Sequence, residues 1–248
     1  MSSDDLTLQP SSLDQRKPRV PSFDPQAVPI VARDTHLSLV ERHLLSISGM
    51  RQRFLEDKEW PVELTDENRF VLAAKSAMAA GRGGTPTPAA VLVPMVAYED
   101  ELKILLTKRT SHLHDHPGQI SFPGGRTDPE DVSPEHTALR EAQEEIGLPE
   151  SYVEILGRLP HYLTITGYEV TPIAALVKPG CVYQPDPFEV EEIFEVPMSF
   201  LMNPQHHERR IWQSPEGARQ FYAMPYENKF IWGATAGMLR NLYHFLRA

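Results

Sequence analysis

The sequence predicts an α/β protein, and three observations carry that reading. Residues 90–97 and 102–108 are strand-like apolar runs joined by the acidic turn Glu99-Asp100-Glu101, the pattern of a hairpin. Residues 133–147 hold both a start and a stop signal for a helix. A second amphipathic helix begins near Ala234, with Met238, Leu239, Leu242, Tyr243 and Leu246 on its buried side. Periodicity alone supports α/β or α+β.

Taken in order, residues 1–35 are rich in Ser, Asp and Pro, with prolines at 10, 18, 21, 25 and 29, and are expected to be a flexible, dispensable tail. Residues 36–85 read as a helical N-terminal extension and linker. Within it, Leu37, Val40, Leu44, Leu45, Ile47, Met50, Phe54 and Leu55 suggest one or two helices docked on the main domain. A further short helix is expected over 70–80, and Gly-Arg-Gly-Gly-Thr-Pro-Thr-Pro at 81–88 is the clearest linker. The main domain, 86–248, continues past the hairpin with strand candidates at 152–160, 170–177 and 192–196.

The 133–147 helix is legible residue by residue. Ser133 can cap it, Pro134 fits the first helical position, Glu135 suits the positive end, and Gly147 can close it in a left-handed conformation. Leu139, Ala142 and Ile146 recur at three- and four-residue intervals, with Ala138 widening that stripe toward a core. Glu141, Glu144 and Glu145 project from another face at i, i+3 and i+4. Three such carboxylates repel one another, and a hard divalent cation turns the repulsion into coordination. A bare Glu-x-x-Glu-Glu is usually a solvated face. Here Arg140 stands inside the run, Gly124-Gly125 precedes it and Gly147-Leu148 ends it.

With those neighbours the segment resembles the Nudix box, G-x5-E-x7-R-E-U-x-E-E-x-G-U, where U is a bulky aliphatic residue. Five residues separate Gly125 from Asp131, which stands where the family has Glu; eight rather than seven separate Asp131 from Arg140, and Ala142 is a small occupant of a U position. Upstream, Leu105-Leu106-Thr107-Lys108-Arg109-Thr110, Gly118 and Phe122-Pro123-Gly124-Gly125 resemble the signature L-L-T-x-R-[SA]-x3-R-x3-G-x3-F-P-G-G of the coenzyme A diphosphatase branch. Thr110 replaces Ser or Ala there, and His114 replaces the second Arg. The one-residue insertion in the box is itself a feature of that branch.

The resemblance implies an α/β/α sandwich with a mixed sheet and the catalytic helix after a Gly-Gly loop. It implies metal-dependent hydrolysis of coenzyme A or its derivatives to 3',5'-ADP and 4'-phosphopantetheine. Mg2+ or Mn2+ would be held by Glu141, Glu144 and Glu145, with Arg140 orienting a neighbouring carboxylate. Gly124 and Gly125 permit close backbone approach to phosphates or to the metal-bearing helix, and Arg109 and Arg126 are candidate phosphate contacts, or structural ion pairs. The general base stays open among Glu144, Glu189, Glu191 and Glu192. Thr164–Tyr168 and Tyr222–Tyr226 serve either substrate binding or packing. Alternation of His112, His114 and His116 raises a zinc site, which Pro117-Gly118 and the loop signature argue against. Two other readings are a hydrolase of ADP-ribose or another nucleoside diphosphate derivative, and a non-catalytic module that binds a nucleotide. A binding module has no need of three clustered carboxylates.

Composition sets the remaining bounds. At 248 residues and 41% hydrophobic, the chain can bury one substantial core without covalent staples. The single Cys181 excludes an intrachain disulfide and fits a reducing, cytoplasmic setting. A formal charge of -10 argues against non-specific nucleic-acid binding but not against a small nucleotide, whose charge a metal and a few arginines would meet locally. No leader or membrane span is readable, and oligomeric state is open.

Overall fold

The computed structural model describes residues 23–66, 69, 85–112, 117–214 and 217–248. Its strands are β1 (Ile30–Arg33), β2 (Thr87–Ala97), β3 (Leu102–Arg109), β4 (Ile120–Ser121), β5 (Gly124–Arg126), β6 (Val153–Arg158), β7 (Tyr162–Leu163), β8 (Tyr168–Val177), β9 (Val190–Pro197), β10 (Glu208–Ser214), β11 (Gly217–Tyr226) and β12 (Lys229–Trp232). Its helices are α1 (Ile47–Leu55), α2 (Pro134–Ile146), α3 (Met198–Leu201) and α4 (Gly233–Arg247).

Strand β2 organises the main sheet because both of its faces are buried. Ala89, Val93 and Met95 enter one core and Ala90, Leu92 and Val96 the other, the period of two that a covered strand requires. It pairs in parallel with β8 from Thr87↔Tyr168 to Val96↔Val177, and antiparallel with β3 through the expected hairpin at Ala97↔Leu102. Strands β4 and β9 add to β3, β5 to β2, and β6 and β7 to β8, giving a mixed sheet. Helix α2 covers one face through Ala138, Ala142 and Ile146, while Leu239, Leu242, Tyr243 and Leu246 of α4 enter the core on the other. The result is the α/β/α sandwich that the Nudix resemblance implies. Thr87 and Pro88, expected in the linker, already belong to β2: Thr87 donates its amide to Gly167, and Pro88, which has no amide to place, accepts from Thr127. The helix expected over 70–80 lies outside the described residues.

A second, antiparallel sheet, β1-β10-β11-β12, was not foreseen. Its strands carry buried charge that hides their periodicity. Arg210 is 8% exposed and pairs with Glu208 of the same strand at 2.7 Å, while Arg209 reaches Asp34 at 2.9 Å. The described part of the expected tail is likewise built into the fold. Ile30 to Arg33 pair with β10, Asp34 is 2% exposed, and Phe23 packs on aromatic rings of this sheet.

Asp34 belongs to a buried polar network that ties the N-terminal extension to α4. Arg240, 2% exposed, donates to Asp34 at 2.7 Å, to Glu63 at 2.8 Å and to His207 Nδ1 at 2.9 Å. His207 Nε2 completes the chain on the Leu201 carbonyl at 2.7 Å, so the ring is the neutral Nε2–H tautomer. Burial raises the Glu63 carboxyl, but His244, Tyr222 and Arg240 all bond to it and hold it well below the usual carboxylate range. Alongside, the Phe54 ring of α1 packs at a tilt 4.5 Å from Phe245, and the Arg53 guanidinium lies 4.1 Å above the same ring.

Removing one partner of a buried ion pair costs about 3–5 kcal/mol. A chain beginning at Thr35 should therefore melt at least about 5 °C below one beginning at Phe23, since only the first loses β1 and Asp34. Coincident melts would contradict this account.

Burial pushes His207 down to about 4, below its ordinary value of 6.5. Between those values the unfolded chain binds the proton and the folded one does not. Stability is thus complete above about pH 6.5 and falls as pH drops toward 4, by about 1.4 kcal/mol per pH unit at most. Denaturant unfolding of His207→Gln, which keeps a donor and an acceptor but does not titrate, should show a shallower decline than the parent over that window. Parallel curves would refute the assignment.

Candidate active site

The site forms where β5 passes between β2 and α2. Its turn, Phe122-Pro123-Gly124-Gly125, runs antiparallel to β2 with Val91↔Gly124 and Ala90↔Gly125 in register, and the Pro123 carbonyl accepts from Leu92. Gly124 adopts φ +149°, and a Cβ there would stand 2.4 Å from the Ala90 carbonyl oxygen. At Gly125 a Cβ would stand 2.6 Å from the Glu141 carboxyl carbon. Two adjacent glycines thus let the backbone lie against β2 on one side and against a helix carboxylate on the other.

Helix α2 starts and stops as its sequence predicts. Ser133 Oγ accepts from the His136 amide at 3.2 Å, Pro134 occupies the first turn, and Gly147 closes the helix at φ +66°. The three glutamates are not equivalent on it. The Glu145 side chain is 6% exposed, Glu141 17% and Glu144 59%. Glu145 Oε2 accepts the Gly124 amide at 3.1 Å, and Oε1 lies 3.7 Å from Arg109 Nη1. Burial pushes Glu145 up to about 8 against the Gly124 hydrogen bond, and burial likewise raises Glu141 against the pull of Arg140.

Arg140 holds this arrangement together. Its guanidinium grips Asp131 in bidentate fashion, Nε to Oδ1 at 3.1 Å and Nη2 to Oδ2 at 2.9 Å, while Nη1 reaches Glu141 at 2.9 Å and Glu144 at 3.0 Å. Asp131, 1% exposed, also accepts from Thr137 Oγ1 and the Asp128 amide at 2.9 Å each. The Arg140 contact above all holds its carboxyl well below the usual range. Sequence spacing left the role of Asp131 open, because the box carries one extra residue between it and Arg140; the fold absorbs that residue and makes Asp131 the anchor.

The remaining expectations sort by position. Arg109 is shared between Glu145 at 3.7 Å and Glu189 at 4.0 Å. Glu191 and Glu192 are committed to Lys108 and Lys229, so of the four candidate bases only Glu144 and Glu189 remain beside the Glu141 and Glu145 carboxylates. Arg126 is exposed on β5 and, with Arg109, Gly124 and Gly125, lines a cavity of about 960 Å3. Thr164, Ile165, Thr166 and Tyr168 line it too. Tyr222, by contrast, is 1% exposed and hydrogen-bonded to Glu63, a packing role. His112 packs edge-on to Phe188 at 5.0 Å, and His114 and His116 lie outside the described residues. Phe23, Trp212, Phe221 and Trp232 also line the cavity, four aromatics from separate segments that no spacing rule connects.

The donor set fits a hard divalent cation. Among the described residues Glu145 has one amide in hydrogen-bond range and one guanidinium farther off, and Glu141 beside it is largely buried, so ionising the pair calls for a cation that the surrounding side chains do not supply. Among the described residues no three His, Cys, Asp or Glu side chains converge as a ready cage. Glu144 is turned outward to Arg140.

The model of the NUDIX domain matches residues 86–231. The uncharacterized Nudix hydrolase NudL of Enterobacter sp. (strain 638) is 40% identical over 164 residues, spanning 62% of this chain and 80% of that protein. The protein of the same name from Escherichia coli (strain K12) is 40% identical over 155 residues, with the same coverage of 62% and 80%. A crystal structure of a NUDIX hydrolase from Nitrosomonas europaea is 16% identical with a TM-score of 0.42, covering 67% of this chain and 73% of that one. Among the described residues no helix is long and apolar enough to cross a membrane. The matched stretch takes in the mixed sheet, the glycine turn and the carboxylate-bearing helix as one unit, and the chain belongs to the Nudix hydrolase family.

Proposed function

We propose that this Nudix hydrolase cleaves the diphosphate bond of coenzyme A or a derivative, releasing 3',5'-ADP and a 4'-phosphopantetheine species. Hydrolysis of a nucleoside diphosphate derivative follows from family membership; the coenzyme A assignment rests on one observation. The loop whose sequence resembles the coenzyme A branch supplies Arg109, which faces both the buried carboxylates and the cavity. In this reading Glu141 and Glu145, with Glu144 at the exposed edge, hold Mg2+ or Mn2+. When bound, the ion supplies positive charge to diphosphate oxygens that otherwise repel an attacking water.

The chain's own groups do the rest. Arg140, fixed by Asp131, keeps the Glu141 carboxylate in one rotamer and limits its freedom to turn to solvent. Gly124 and Gly125 line the cavity, so the diphosphate can approach the backbone of the turn closely. Arg109 and Arg126 present guanidinium groups to phosphate oxygens. Glu189 or Glu144 accepts the proton of the water as its oxygen bonds to phosphorus and the bridging oxygen leaves.

Two experiments test this. Glu145→Gln preserves an acceptor for the Gly124 amide but loses the charge, so kcat in saturating Mg2+ or Mn2+ should fall more than about a hundredfold, roughly 2.7 kcal/mol or more. Melting in EDTA above about pH 8 should match or exceed the parent's, because there the parent's buried Glu145 is ionised and the amide is uncharged. Retention of more than about a tenth of parental turnover sinks the assignment of Glu145.

For the substrate, the 3'-phosphate distinguishes coenzyme A from other adenylates, and a charge-assisted contact to it contributes about 1.5–3 kcal/mol. Coenzyme A should exceed its 3'-dephospho form in kcat/KM by about tenfold or more. Arg109→Ala should shrink that ratio more than it slows ADP-ribose turnover. Equal cleavage of the two forms refutes 3'-phosphate recognition, and cleavage of ADP-ribose alone refutes the coenzyme A reading.

A further inference from the structure

Two chemically distinct sets of residues line the cavity beside the glycine turn. One presents Gly124, Gly125 and the cations of Arg109 and Arg126. The other is aromatic: Trp212 of β10, Phe221 of β11 and Trp232 of β12 meet Phe23, which arrives from the segment ahead of β1. The Phe23 ring centroid lies 4.4 Å from Trp212, 5.8 Å from Trp232 and 6.1 Å from Phe221, and Phe221 lies 5.5 Å from Trp232. Val170 and Met238 extend the apolar lining. Of the polar groups in the same cavity, Asp66 is already engaged by the Gln220 amide at 2.8 Å.

The angles between the rings decide what such a set can hold. They are 44°, 62°, 85° and 68°, so none of these four ring contacts is a parallel stack. A flat nucleobase is gripped by parallel faces stacked on either side of it. Tilted and edge-on rings close instead into an apolar cup, suited to a flexible hydrocarbon group. The volume, about 960 Å3, stands at the upper end of the usual ligand range of about 300–1,000 Å3 and leaves space beyond a diphosphate.

We propose that Phe23, Trp212, Phe221 and Trp232 form a subsite for an apolar group carried at the end of the substrate remote from the scissile diphosphate. Phe23 is then a specificity-determining residue, and the segment before β1 is part of the substrate site. Resting on the coenzyme A reading, the group in question is the acyl chain of a thioester, because the thiol is where coenzyme A accepts an apolar substituent at that end.

Tryptophan emission reports on the cup directly. Trp212 and Trp232 are two of the chain's three tryptophans, and Trp60 packs on Phe245 instead. In EDTA, where turnover is off, octyl diphosphate should shift the emission to the blue at concentrations at which methyl diphosphate does not. Phe23→Ala should weaken octyl diphosphate binding at least about fivefold and Phe23→Leu less, with melting curves confirming that both variants fold. With Mg2+, octanoyl-coenzyme A should exceed coenzyme A in kcat/KM by about tenfold, a ratio that collapses toward unity in Phe23→Ala and Phe221→Ala. Equal emission responses to the octyl and methyl compounds, or a chain preference that survives both substitutions, overturn the subsite. Binding of octyl diphosphate that depends on Phe23, without cleavage of either coenzyme A compound, supports the subsite and overturns the coenzyme A reading alone.

Discussion

Glu145 is a carboxylate buried against the edge of a sheet, with one backbone amide at 3.1 Å and a guanidinium no nearer than 3.7 Å. Ionising such a group calls for a partner that offsets its desolvation, and among the described residues these two contacts offset little of it. The local architecture follows from that constraint. Gly124 turns an amide toward the carboxylate, Gly125 withdraws a side chain so that Glu141 can close in, and Asp131 immobilises the arginine that steadies Glu141. Each feature serves to keep two carboxylates together where repulsion and burial would separate them.

A second cluster of buried charge makes the contrast plain. Around Arg240, the carboxylates of Asp34 and Glu63 meet donors at 2.7 and 2.8 Å, His207 stays neutral, and Tyr222 and His244 complete Glu63. Negative charge there is matched internally, which holds Glu63 far down in its titration range. At Glu145 it is not, and burial drives the carboxyl the other way. One network joins the N-terminal extension to the last helix; the other keeps an unbalanced field for something to bind. Direction of displacement, more than the presence of buried charge, separates structural clusters from functional ones.

Much of this was legible in the sequence. Helix α2 announces its cap, its stop and its buried stripe, and the β2–β3 hairpin and α4 stand out because their periodicities are long and uninterrupted. The glycine turn and the acidic face could be placed because covalent spacing alone brings them together. Strand β10 could not, since Glu208 and Arg210 are buried charges paired on the same strand and Arg209 pairs with Asp34, far off in sequence. A pattern reader scores such a stretch as polar surface. Residues 23–35 fail for a related reason. Interrupted by Pro25 and Pro29, they are ordered by long-range pairing with β10 and by the Asp34 ion pairs rather than by any local preference.

The stretch that defines the family and the body that folds are also different sets of residues. The family match ends at residue 231, yet Leu239, Leu242, Tyr243 and Leu246 of α4 are all 0% exposed within the same core as β2 and β3. Val40 and Met50, well before residue 86, join that core too. A chain cut to the matched stretch would lay bare the sheet face that α1 and α4 cover, while α2, on the opposite face, keeps its full set of carboxylates. The motif therefore locates the chemistry, but part of the buried surface behind β2 and Gly124 is contributed from outside it. Because a displacement of β2 moves the glycine turn paired to it, segments with no catalytic group still set the geometry of Glu141 and Glu145.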